Sequence, residues 1–131
     1  MTYGSYIEFP SKVKGKFAKK IPANIIKNNS YRQSEWMSSH LRTFRYGLWK
    51  KISKSDLVNQ KTGEFIKAAW DLAFVFPMLE MCSEKALYVE DILYVYNRQN
   101  PLNEDKVDHK QQLGEEGYIR NKEKYSRINS L

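Results

Sequence analysis

The chain has a single cysteine, Cys82, which excludes an internal disulfide and makes a reducing, cytoplasmic home the simplest expectation. Cys82 lies in EMCSEK, with no histidine beside it and an acid on either side, a setting that keeps a thiol protonated. Long apolar runs are also missing. The longest, Leu72 to Leu79, has eight residues even with Pro77 counted, whereas a membrane span needs about twenty. The opening MTYGSYIEFP has neither a basic head nor an apolar stretch, so no secretory leader is expected. There is no glycine-rich phosphate loop, no metal-spaced Cys/His cluster and no serine nucleophile elbow. Acids are scarce in the front half: Lys12, Lys14, Lys16, Lys19, Lys20, Lys27 and Arg32 follow one another with no carboxylate between them. That bias and the net charge of +7 point to an anionic partner.

What is present is apolar substance enough for a core, with nine tyrosines in 131 residues, and one domain spanning 1–131 is expected. Tyr3 to Phe9 alternates and stops at Pro10, which reads as a strand. Residues 11–34 read as a basic loop with a short strand near 16–18. Ser34 can cap a helix over 35–52 whose stripe is Trp36, Met37, Leu41, Phe44, Leu48 and Trp49. A second helix is expected over 64–81. It is apolar nearly all round, and Pro77 should kink or break it near 74–76. Two short strands, 86–89 and 92–96, flank Glu90-Asp91. Beyond 105 a polar helical tail breaks near Gly114 or Gly117. The order implies an α/β class: a few short strands, two central helices and a C-terminal helical tail.

The succession SHLRTFRYGLWKKI (39–52), GEFIKAAWDLAFVFPMLEM (63–81) and ILYVYNRQNPLNEDKV (92–107) resembles the C-terminal half of inverting glycosyltransferases of family 2, which have the GT-A fold. TYGSYIEFPS looks like the strand that follows the acidic metal motif of that family. The resemblance implies a partial GT-A-like domain that builds the acceptor site and supplies the catalytic base, without the nucleotide-binding half. No Asp-x-Asp is present. Mg²⁺ or Mn²⁺ is therefore expected only if that half is supplied, and no metal ligand is assigned to this chain. The implied partners are a nucleotide-sugar, a glycan acceptor and either a separate nucleotide-binding chain or further copies of this one.

The resemblance assigns Asp71 as general base, taking the proton of the acceptor hydroxyl as it attacks the anomeric carbon. Such a base works best partly desolvated, and Trp70, Phe74 and Phe76 would wall it in. A structural carboxylate, paired with Arg42 or Arg45 or bonded to an amide, is the other reading of Asp71. His40 and Arg42 are candidates for a phosphate or an acidic sugar, Trp70 for the acceptor, Glu80 for the acceptor or a structural role, and Asn97 and Arg98 for a loop over the diphosphate. Nine residues separate Asp71 from Glu80, so one regular helix turns them to opposite sides. The half-domain reading predicts bare apolar faces on Tyr3–Phe9 and on the helix over 64–81, where the other half would sit. The alternative is a basic module for nucleic acid or another polyanion, without catalysis.

Overall fold

The computed structural model describes residues 1–103, 106 and 109–130, the side chain of His109 excepted. It is a mixed α/β chain. Strand β1 (Thr2–Phe9) is the centre of a three-stranded sheet, with the two-residue β2 (Arg42–Thr43) antiparallel on one side and β3 (Leu87–Asn97) parallel on the other. Between them come α1 (Ala23–Lys27), a 3₁₀ turn at Tyr31–Gln33, α2 (Tyr46–Trp49) and the long α3 (Trp70–Cys82). After β3, α4 (His109–Arg120) leads into an extended tail. No described helix is long and apolar enough to cross a membrane.

The opening strand is as expected, and its partners come from far along the chain. The two strands expected over 86–96 are one. Thr2 to Gly4 face Leu87 to Val89, then Ser5 faces Ile92 and Tyr6 faces Tyr94, so Glu90-Asp91 is accommodated as a bulge rather than a turn. The break in the apolar pattern there is real, but β1 spans it. The basic loop folds back on β1: the Gly15 amide donates to the Tyr6 carbonyl at 2.9 Å. A β-carbon on Gly15 would come within 1.9 Å of the Tyr6 ring, so that close approach requires glycine.

The helix expected over 35–52 does not form. Its first part is drawn out against the basic loop, with the Lys19 amide bonded to the Met37 carbonyl and the Ser39 amide to the Phe17 carbonyl. Arg42–Thr43 then joins the sheet, and only 46–49 is helical. Strand pairing outweighs a three-and-four stripe here. The second helix starts at Trp70 rather than 64, because the amides of Lys67 and Ala68 are taken by the Glu115 carboxylate of α4. Pro77 does not break α3: the helix runs on to Cys82 with apolar packing on both sides. Gly114 and Gly117 likewise lie within α4.

Nearly all of α3 is buried. One side meets Tyr3, Ile21, Tyr31, Ile66 and Ile119, and the other meets Leu48. The chain itself covers most of the surface expected to be bare on β1 and over 64–81, leaving Phe9, Phe65 and Trp70 exposed. The exposed aliphatic side chains of the sheet belong to β3 instead: Leu87, Ile92, Leu93 and Val95.

One polar contact lies inside this core. Arg32 and Glu80 have fully buried side chains and pair through two bonds, Nε to Oε1 at 2.6 Å and Nη2 to Oε2 at 3.0 Å. The remaining groups are used as well. Arg32 Nη1 donates to the Ile119 carbonyl at 2.7 Å, and the Tyr125 amide donates to Glu80 Oε2 at 3.0 Å. Removing one partner strands a buried charge, which costs about 3–5 kcal/mol. Urea unfolding of R32M and E80L should show losses of that order. The double variant, with no charge left inside, should be less destabilised than either single one; an additive loss would mean that the pair is not a unit.

Candidate functional site

Asp71 occupies the first turn of α3, where the helix dipole favours a carboxylate. The residue that delivers the chain into this helix, Ala69, has φ of 53°, in the left-handed region that costs a non-glycine residue energy. Asp71 Oδ2 receives Arg42 Nη1 at 2.9 Å, and Oδ1 receives the Leu72 amide at 3.0 Å. Arg42 is delivered by β2 and is almost buried, whereas the Asp71 side chain keeps 23% of its surface. The guanidinium lies 5.9 Å from the ring centres of both Trp36 and Phe74. Beside it Trp70 is half exposed and packs on Phe74 at 5.7 Å, and Trp49 and Phe44 continue the aromatic shelf.

On the other side of Arg42 stands His40, its Nδ1 3.5 Å from Arg42 Nη2. The imidazole stacks on Tyr96 at 5.6 Å and 12°, with Tyr94 and Tyr6 also in contact. Arg98 lies over the far-reaching Tyr96 ring at 5.6 Å. The line Asp71, Arg42, His40, Tyr96, Arg98 thus joins the start of α3 to the end of β3. Tyr94 and Tyr96 are the parts of this line that sequence reasoning missed. Their alternation along a strand was visible, but not the crossing of His40 over them.

Two of the expected residues serve elsewhere. Glu80 is the interior carboxylate of α3, turned away from Asp71 and bonded to Arg32 and the Tyr125 amide. Both of its oxygens are engaged by these protein donors, in keeping with the structural one of the two roles open to it. The side chain of Asn97 accepts from the Gln99 amide at 2.9 Å and so shapes the turn after β3. Among the described residues no three His, Cys, Asp or Glu side chains converge as a metal cage. Asp71 faces a guanidinium, a poor neighbour for a cation, so this site does not fit the divalent ion of the resembled family.

The chain matches no family model, no curated protein and no solved structure.

Burial, helped by the neighbouring Arg42, holds His40 below its ordinary pKa of 6.5, and Asp71 offsets only part of this. The folded chain therefore keeps a neutral imidazole where the unfolded chain takes up a proton. Stability present above about pH 6.5 is lost as the pH falls toward the folded pKa. Denaturant titrations at about pH 7 and about pH 5 should show a smaller pH dependence in H40Q than in the parent. Equal slopes would place the acid sensitivity elsewhere.

Proposed function

We propose that the chain is a GT-A-like acceptor and catalytic-base half of an inverting glycosyltransferase. The observation that carries this reading is the Asp71 carboxylate, held by Arg42 in the first turn of α3 next to a half-exposed tryptophan. An aromatic shelf beside a fixed carboxylate suits a sugar, whose C–H faces stack on rings while its hydroxyls seek polar partners. A carboxylate oxygen has two lone-pair directions. Among the described residues each Asp71 oxygen accepts one bond from the protein, which leaves a direction for an acceptor hydroxyl.

In the proposed step the acceptor O–H gives its proton to Asp71 as its oxygen bonds the anomeric carbon from the face opposite the nucleotide diphosphate. The C–O bond to the diphosphate breaks, and its electron pair leaves with the nucleotide, inverting the centre. Arg42 keeps the carboxylate aimed, and Arg98 is the cation suited to the leaving phosphates. The nucleotide-binding half has to come from outside the described elements, and with β1 and α3 mostly covered, β3 is the strand that offers it apolar surface.

Calorimetry with UDP-, GDP- and CMP-sugars, and Trp70 emission with a panel of glycan acceptors, test binding directly. D71N should retain acceptor binding and, with its amide oxygen still able to accept from the almost buried Arg42, lose about 1–3 kcal/mol of stability. Turnover in the completed enzyme should fall by about 10²–10⁴. Unchanged turnover would remove Asp71 from the chemistry. Silence toward all sugars, with salt-sensitive binding of single-stranded DNA, would replace this reading by that of a polyanion module.

A further inference from the structure

A cavity of about 730 Å³ opens where the starts of β1 and β3 meet β2 and the tail at 128–130. Its size is that of a small-molecule site. Phe44, Cys82, Leu87 and Ile128 supply an apolar lining, and Arg45, Lys85 and the Met1 ammonium, 3.7 Å from Cys82 Sγ, supply the charge. No carboxylate appears among the described side chains that line it, in a chain with fifteen acids. Arg45 takes part in none of the ion pairs among the described residues. Lys85 Nζ donates to the Asn129 carbonyl at 2.6 Å, which leaves other ammonium protons for a ligand and ties the tail to the cavity wall.

An apolar hollow with three cations and no acid among its described lining is complementary to one kind of molecule. A neutral apolar ligand would leave the cations unused, and a small hydrophilic anion would leave the lining wet. We propose that this cavity binds a single-chain amphipathic anion, its tail against Leu87, Ile128 and Phe44 and its phosphate or carboxylate head between Arg45 and Lys85. This site is separate from the Asp71 chemistry, although Phe44 contributes a wall to each, and it stands whether or not the chain transfers sugars.

Cys82, the chain's one cysteine, lines the cavity and reports on it. Dodecyl phosphate, titrated below its micelle concentration, should be seen by calorimetry and should slow the reaction of Cys82 with a thiol reagent. Dodecanol, with the same tail and no charge, should bind at least about tenfold more weakly, and the R45Q/K85Q variant should lose dodecyl phosphate by a similar factor. Inorganic phosphate alone should neither bind measurably nor protect the thiol. Absence of dodecyl phosphate binding would overturn the proposal. Equal affinity for dodecanol would remove the anionic head from it, and phosphate binding as tightly as dodecyl phosphate would leave a plain anion site.

Discussion

The buried pairing of Arg32 with Glu80 is the contact on which the rest of this structure depends. It joins four stretches that are distant in sequence: the turn at 31–33, α3, the end of α4 at Ile119 and the tail at Tyr125. Arg120 reinforces the same junction by donating to the carbonyls of Arg32 and Ser34. Few other arrangements of these segments satisfy every donor and acceptor in so dry a place, and a partly satisfied one is penalised heavily. The pair therefore acts less as a source of net stability than as a selector of one packing. It fixes the rotation of α3, and with it the direction in which the first turn of that helix points.

The two ends of α3 divide its carboxylates between distinct duties. Glu80, near the last turn, is wholly interior and answered by the protein on both oxygens. Asp71, in the first turn, is paired on one side and reachable on the other. A left-handed Ala69 just ahead of it and an exposed tryptophan beside it are features that stability alone gives little reason to keep. The same helix is thus anchored by one acid and presents another.

Legibility in the sequence followed the range of the interactions. The opening strand, the buried character of α3 and the opposite facing of Asp71 and Glu80 were all readable from local alternation and helical spacing. The pairing of Asp71 with Arg42 was among the alternatives that spacing left open. The helix over 35–52 was misread because Met37 to Ser39 is claimed by the backbone of residues 17–19, a partner that no local pattern names. For the same reason Glu90-Asp91 read as a break between two strands: a bulge and a break look alike until the partner strand is known. Arg32 was counted in a basic run that pointed to an anionic partner, and Glu80 as a structural or an acceptor residue. Nothing near either in sequence signals that the two meet, and this was the largest piece that sequence reasoning lacked.

The most direct test of this account is amide hydrogen exchange at Tyr125, which donates to Glu80 in a stretch with no helix or strand of its own. If the buried pair fastens the tail to α3, the Tyr125 amide should exchange only through global unfolding, at the same free energy as the interior amides of Met78 and Leu79. Exchange many times faster than theirs, at the rate of a frayed end, would contradict it.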